Sequence, residues 1–281
     1  MDLLIPSDLR EALEMRSAHP GATPLWGGTD VMVDLNFGRT RPETILDLTR
    51  VRELTEWGEA DGVLRVGAGV SYTRAIAELG DRVPGLAAAS RTVGSPQIRN
   101  RGTIGGNLGS ASPAGDALPP LYASGAEVEL ASARGTRRLP VEAFVTGPKR
   151  TVLADDELIA AFLVRPTAGP QQFSKVGTRN AMVIAVCSFA LALDPEARRV
   201  GACIGSAGPT PLHAAEAEAF ASCELDWERP PDAEACRRFG ELVAAAAQPI
   251  DDVRGSAAYR RHALGVLGRR SLAWAWGELC A

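Results

Sequence analysis

The sequence predicts an α+β chain in two parts, and three observations carry that prediction. Short strand-like and helix-like segments alternate through the first half. Two prolines and a glycine interrupt the chain at Arg165-Pro-Thr-Ala-Gly-Pro170, which predicts a domain boundary there. An almost wholly apolar run, Ala181 to Leu193, then opens a second half that ends in helices. With 281 residues, the chain has room for one large domain or two smaller ones of roughly 100–200 residues each.

The segments follow in order. Asp8-Leu-Arg-Glu-Ala-Leu-Glu-Met spaces its apolar residues for a helix, with Ser7 or Asp8 as N-cap. Thr23-Pro-Leu-Trp is a short strand that runs into Gly27-Gly28-Thr29-Asp30. A second helix starts at Val31, and Thr44-Ile-Leu-Asp-Leu is a strand that completes a small β/α unit. Val63 to Val70 is a strand entering a turn, Tyr72 to Leu79 a short helix, and residues 84–94 another. The stretch from Gly94 to Asp116 is dense in Gly, Ser and Asn. Because Ile98, Ile104 and Leu108 recur through it, it reads as a buried, ligand-facing loop rather than a linker. Asp116 to Ala123 is a helix, and Ala126-Glu-Val-Glu-Leu and Leu158 to Val164 are strands. Beyond the break, Ala181 to Leu193 suits a buried strand or two. Arg199 to Gly205 is its hairpin partner, with Asp194-Pro195 in the turn. Helices around 213–221, 233–247 and 255–268 finish the chain, and no fixed-period repeat occurs.

Composition excludes several classes. Hydrophobic residues at 46% and charged residues at 23% describe an ordinary globular protein, and a net charge of -4 invites no polyanion. No Lys/Arg block interleaves with aromatics, so no nucleic-acid partner is expected. The first residues are too charged for a secretory signal, and no apolar run reaches about 18 residues, so no membrane span is expected and a cytoplasmic protein is. The 5 cysteines are widely spaced without a CxxC, which leaves no metal-ligand set. The 3 histidines, His19, His213 and His262, are scattered and suggest no catalytic arrangement.

Two glycine segments can carry chemistry. In Leu25-Trp26-Gly27-Gly28-Thr29-Asp30-Val31, a strand delivers two glycines, a hydroxyl and a carboxylate to a helix start. Backbone N–H groups there can approach an anion such as a pyrophosphate. The same residues also suit a plain strand–turn–helix corner capped by Thr29 or Asp30. In Gly102-Thr103-Ile-Gly-Gly106-Asn107, backbone donors can again converge, with Ser110, Ser112 and Asp116 adding directed hydrogen bonds. Asp116 could accept from a ribose or from another segment. Two such cradles fit one dinucleotide. Gly67-Ala-Gly69 follows a strand, but position 72 is Tyr, so it reads as a tight turn and not a nicotinamide site. Lys175 could enter the cleft between the two parts and stabilise charge on a reduced flavin, or form an exposed pair with Arg179. Arg254, Arg260 and Arg261 lie in the segment Pro249 to His262, where Asp251 and Asp252 precede a helix and can cap it. This segment reads as a capped, solvated helix, with subunit docking as the alternative.

Taken in order, Trp26 to Asp34, Ser95 to Leu108, Ala111 to Asp116, Phe144-Val-Thr-Gly-Pro148 and Ile250-Asp-Asp-Val-Arg-Gly-Ser256 resemble the FAD-binding medium subunit of the xanthine dehydrogenase and carbon monoxide dehydrogenase family of molybdenum hydroxylases. The resemblance spans essentially the whole chain. It implies a two-lobed FAD-binding domain of the vanillyl-alcohol-oxidase (PCMH) type over 1–168, with lobes of about 1–52 and 53–168. A small α+β flavoprotein domain with an antiparallel sheet would follow over 172–281. It implies that residues 25–31 and 102–107 surround the FAD pyrophosphate. Ile98, Ser112 and Asp116 would line the site, Ile159 would make an apolar contact, and Lys175 would lie near the isoalloxazine. Where many members carry acidic residues after the arginine matching Arg179, this chain has Asn180-Ala-Met-Val-Ile, so no carboxylate contact is carried over. The cysteine-bearing insertion of some relatives is absent.

With no His or Cys beside either loop, FAD would be held non-covalently. The resemblance implies electrons arriving from a [2Fe-2S] small subunit and leaving through FAD to NAD+ or another acceptor. A molybdopterin-binding large subunit would hydroxylate the substrate, with xanthine or hypoxanthine as the leading guess. No side chain here is expected to act on that substrate as acid or base. Other readings are a flavoprotein subunit of a carbon monoxide, aldehyde or N-heterocycle dehydrogenase, a stand-alone flavin oxidoreductase, a nucleotide-binding regulatory module, or a structural subunit.

Overall fold

Asp8 starts the first helix. Its carboxylate accepts the Glu11 N–H at 2.8 Å, and Glu11 reaches back to the Ser7 hydroxyl at 2.7 Å, so both candidate caps are used reciprocally. The computed structural model describes residues 1–281. Its first segment runs β1 (Asp2–Leu4), α1 (Leu9–Ala18), β2 (Thr23–Leu25), α2 (Val31–Asn36) and β3 (Thr44–Asp47). The strands pair in parallel in the order β1-β3-β2, which makes the helices crossovers.

Next come β4 (Trp57–Ala60), β5 (Val63–Gly67), α3 (Tyr72–Glu78), α4 (Pro84–Thr92), α5 (Pro96–Arg101), α6 (Ile104–Ser110), α7 (Leu118–Ala123), β6 (Glu127–Ser132), β7 (Gly135–Pro140), α8 (Val141–Phe144), β8 (Val145–Gly147), β9 (Arg150–Thr151) and β10 (Leu158–Val164). Five of these strands form an antiparallel sheet in the order β4-β5-β10-β6-β7. The register between β10 and β6 shifts between Ile159 and Ala161, a bulge that re-aims the side chains of β10. The final segment holds β11 (Gln171–Val176), β12 (Cys187–Asp194), β13 (Arg199–Gly205) and β14 (Leu212–His213) in one antiparallel sheet. The helices α9 (Ala215–Glu224), α10 (Ala233–Ala246) and α11 (Ala257–Leu279) follow. The mixed α+β class is as expected, with α+β units on both sides of the break.

Three expectations need correction. The glycine-rich stretch is not a loop throughout: it folds into α5 and α6, because Thr103 caps α6 and Ile104 and Leu108, four apart, are both fully buried. Strand β12 begins only at Cys187; Met182 has φ +50 and, with Ile184, is 54% exposed, so 181–186 is not a strand. Helix α11 runs past 268 to Leu279. Gly268 is no stop signal, since a Cβ there would lie 3.0 Å from Val243 Cγ2, so its bareness lets α11 approach α10 closely.

The apolar run of β12 follows from burial on both faces. Cys187, Phe189, Leu191 and Leu193 pack under α9–α11, whereas Ala190 and Ala192 join the core of the five-stranded sheet and α3, α4, α6 and α7. A third, smaller core lies between α1, β3 and the Leu158–Ala160 stretch of β10. The alternation extends to β11: Phe173 packs on the first core and Val176 on the second. The odd-numbered side chains of β11 therefore face α4. Gln171 accepts the Gly85 N–H near the start of α4 at 3.1 Å, and Lys175 donates to the Thr92 carbonyl at its end at 3.1 Å.

A second link joins α8 to the last sheet. His213 Nδ1 lies 2.7 Å from Glu218 Oε1, and its Nε2 lies 3.2 Å from Glu142 Oε2. The Glu218 hydrogen bond raises the His213 pKa, and Glu142 adds to the effect. A histidine whose folded pKa lies above its unfolded value stabilises the fold fully below about pH 6.5 and loses that contribution as pH rises through the folded value. Thermal melts from about pH 6 to about pH 9 should show a larger loss of stability for wild type than for His213→Gln. Equal pH profiles would show the link to be energetically idle.

Candidate functional site

β2 ends at Leu25, whose carbonyl accepts the Leu48 N–H at 2.8 Å, and the chain then turns through Trp26, Gly27 and Gly28. Gly27 lies against backbone: a Cβ there would sit 2.1 Å from the Arg101 carbonyl oxygen. Gly28 has φ +72, which only glycine adopts without strain. Trp26 covers Gly69, where a Cβ would meet its ring at 2.8 Å. The N–H groups of Gly27, Gly28, Thr29, Asp30 and Val31 donate to no acceptor within the chain. Consecutive free N–H groups on a tight turn form an anion-receptive concavity. Asp30 occupies the N-cap position of α2 without capping it, and accepts the Ser110 hydroxyl at 2.6 Å instead.

The second segment differs. Ser71 and Thr103 form an isolated antiparallel bridge, with Ile104 N–H on the Val70 carbonyl at 3.3 Å and Gly105 N–H on the Ala68 carbonyl at 3.1 Å. Thr103 Oγ1 accepts the Gly106 N–H at 2.9 Å, and the Thr103 carbonyl accepts that of Asn107 at 3.1 Å. The N–H groups of residues 104–107 are therefore used within the chain, while that of Thr103 donates to no acceptor in it, so this segment offers fewer free backbone donors than the first and packs beside it as a capped helix start. Thr103→Val removes the cap and leaves the Gly106 N–H without its partner. A loss of about 1 kcal/mol is expected in urea melts, and an unchanged midpoint would show the cap to be dispensable.

Side chains complete the site. Asn107 Oδ1 accepts the Ala117 N–H at 3.2 Å, which ties α6 to the turn Ser112–Asp116; Ser112 closes that turn through the Gly115 N–H on its carbonyl at 2.8 Å. Asp116 accepts from Lys175 Nζ at 2.6 Å, with side chains only 8% and 7% exposed, and Asp116 Oδ1 is buried without a partner. Burial raises the Asp116 pKa, and the Lys175 ammonium opposes that shift. Of the two roles the sequence left open for Asp116, contact with another segment is therefore realised, and Lys175 is not an exposed strand-edge residue. Arg179 is exposed and donates to the Ala181 and Met182 carbonyls.

The contacts join Trp26–Asp30, Gly102–Asn107, Ser112–Asp116 and Lys175 into one continuous wall. Ile159, at the bulge of β10, packs beside Gly109 of α6, where a Cβ would be 3.4 Å from its Cδ1. Leu25 lies under Gly28, and Val31 opens α2 half-buried. Ile98 is 38% exposed on α5 rather than buried as the recurrence of apolar residues suggests, and its carbonyl takes the Gly102 N–H at 2.7 Å. Sequence reasoning missed Thr92, Tyr72 and the role of Gly69. Tyr72 is 4% exposed beneath Gly102, and burial, with Asp116 and Asp30 nearby, raises its pKa. The second glycine of Gly67-Ala-Gly69 was the available signal; nothing in the sequence marked Thr92. No helix is long and apolar enough to cross a membrane.

A family model described as the FAD binding domain in molybdopterin dehydrogenase matches residues 1–166. The chain belongs to this family. A second model, the CO dehydrogenase flavoprotein C-terminal domain, matches residues 172–275 of this FAD-binding subunit. The subunit is 30% identical to the xanthine dehydrogenase FAD-binding subunit of Escherichia coli O157:H7, covering 93% of this chain and 91% of that one. It is 31% identical to the nicotinate dehydrogenase FAD-subunit of Eubacterium barkeri, over 77% and 78% of the two chains. A solved carbon monoxide dehydrogenase from Hydrogenophaga pseudoflava aligns with a TM-score of 0.90 at 26% identity, covering 100% of this chain and 98% of that one. The protein is thus the medium, FAD-binding subunit of a molybdenum hydroxylase family member, and an oxidoreductase subunit.

Proposed function

We propose that this subunit passes electrons from a [2Fe-2S] small subunit through FAD to NAD+ or another acceptor. A molybdopterin-binding large subunit would hydroxylate the substrate, with xanthine or hypoxanthine as the leading substrate. FAD supplies chemistry that no side chain here can, accepting electrons singly and releasing them in pairs. The observation that carries the reading is the row of acceptor-free N–H groups from Gly27 to Val31, which suits a pyrophosphate. The buried, unpartnered Asp116 Oδ1 fits an N–H or O–H donor of the same ligand.

On this reading Gly27–Val31 bind the pyrophosphate, and Gly102, Thr103, Gly106 and Asn107 surround it from the adjoining segment. Ser112 and Asp116 direct hydrogen bonds to the cofactor, while Leu25, Trp26, Ile98 and Ile159 supply apolar contact. Lys175 keeps a buried positive charge beside the site, which favours electron acceptance. Residues 1–168 would form the cofactor-binding unit and 172–281 the unit that brings Lys175 to it. Xanthine rests on the similarity to the Escherichia coli subunit; the similarity to the nicotinate dehydrogenase subunit favours a second reading, an N-heterocycle substrate.

The test is an absorption spectrum of the protein purified with its co-expressed neighbours. Flavin bands with iron–sulfur absorbance and molybdenum in one peak support the three-part enzyme, and a substrate panel beginning with xanthine and nicotinate then separates the two readings. Flavin without partner chains would favour a free-standing flavoprotein. A colourless protein that takes up no FAD on reconstitution overturns the proposal.

A further inference from the structure

Arg260 has no part in the reading above, yet it is 4% exposed, unlike the solvated position its sequence suggests. It lies in the first turn of α11. Its Nη1 donates to the Ser206 carbonyl at 2.6 Å and its Nη2 to Asp252 Oδ1 at 2.5 Å. A buried guanidinium is tolerated only where its partners are held in place, because an unpaired buried charge is costly. Both partners are so held, and both lead toward the cofactor wall.

Ser206 follows β13 with φ +58 and donates its N–H to the Pro113 carbonyl at 2.9 Å, inside the turn between Ser112 and Asp116. Asp252 closes a tight turn by accepting the Arg254 N–H at 2.8 Å and bridging to Gly255. Gly255 lies against Val186, with a Cβ there only 3.0 Å from Val186 Cγ1. The Val186 N–H in turn donates to the Val176 carbonyl at 2.8 Å, which fixes the chain immediately after Lys175. One side chain therefore joins the supports of both members of the Asp116–Lys175 pair. Only arginine offers two N–H donors in a rigid fork, so lysine is a poor replacement.

We propose that Arg260 is a positioning residue: by joining Ser206 to the Asp252 turn it sets the Ser112–Asp116 turn and the Asp116–Lys175 pair against the flavin. The inference rests on the flavoprotein reading, and the experiment separates the two. Arg260→Met, Arg260→Lys and Asp252→Asn are made in the co-expressed complex. FAD affinity after reconstitution, the visible circular dichroism of the bound flavin and the flavin midpoint potential are measured beside far-ultraviolet dichroism.

Asp252→Asn is expected to weaken FAD binding at least about tenfold and to change the visible flavin signal with the far-ultraviolet spectrum intact. Arg260→Lys should fall between wild type and Arg260→Met. Should Arg260→Met fail to fold, Asp252→Asn and Arg260→Lys decide. The inference is overturned if both retain FAD within about twofold of wild type with unaltered flavin dichroism and potential. If wild type itself takes up no FAD, the flavoprotein reading falls, and this inference with it.

Discussion

Gly27→Ala is expected to give a protein that loses its flavin on purification and melts at a lower temperature. The added methyl would lie 2.1 Å from the Arg101 carbonyl oxygen, and that obstacle is backbone, so no rotamer change relieves it. The turn must move off the end of α5, at a cost of about 1–3 kcal/mol typical of overpacking. The same movement disperses the N–H groups of Gly27–Val31, which work together only when they converge. FAD affinity should fall by roughly a hundredfold or more, about 3 kcal/mol or above. Gly21→Ala is the control: nothing lies within 4 Å of a Cβ there, and flavin content should be unchanged. A yellow Gly27→Ala protein with wild-type affinity would show that the close approach to Arg101 does not matter for the cofactor.

The second large effect is expected at the buried pair. Asp116→Asn leaves the Lys175 ammonium only 7% exposed, with the Thr92 carbonyl as its remaining strong acceptor. A loss of about 3 kcal/mol is expected, as for other broken buried pairs. Lys175→Met strands the carboxylate instead and has a pH signature. Burial already raises the Asp116 pKa, and removing the opposing ammonium raises it further. A carboxyl whose folded pKa exceeds its unfolded value stabilises the fold below the unfolded pKa and loses that contribution as pH rises toward the folded one. Acidifying Lys175→Met from about pH 8 to about pH 5 should therefore raise its stability more than wild type's. The double variant Asp116→Asn/Lys175→Met should cost less than the two single losses added together, because neither partner is left charged and buried. Additive losses, with no extra pH dependence in Lys175→Met, would contradict the coupling.

Local chemistry made much of this legible. Strand β10 is the stretch Leu158–Val164 read from its apolar run, and the turn at Asp194-Pro195 lies where its residue types put it. The exposed hairpin strand β7, Gly135–Pro140, carries no apolar alternation and could not be seen: it is held by backbone pairing to β6, whose own burial is nonlocal. Helix α6 was hidden for a related reason. Its sequence, Ile-Gly-Gly-Asn-Leu-Gly-Ser, has poor helix propensity, and it is helical because Thr103 caps it, Ile104 and Leu108 are buried, and Gly105 has no Cβ to collide with Ala68, 2.4 Å away.

The residue types at the site, the order of the glycine segments and the break between Val164 and Gln171 can be read locally, because they depend on covalent chemistry and turn propensity. Which glycine N–H groups stay free is a property of the packed chain. That depends on where Arg101, Val70 and Ala68 come to lie against the two turns. The same packing decides that Lys175 meets Asp116 and that Arg260 is buried rather than solvated. Each of these is a pairing across distant segments, fixed when β11–β13 pack on one face against α4 and α7 and on the other under α9–α11. Side-chain periodicity shows that a residue is buried; which charge it meets there is set by packing that no short window of sequence contains.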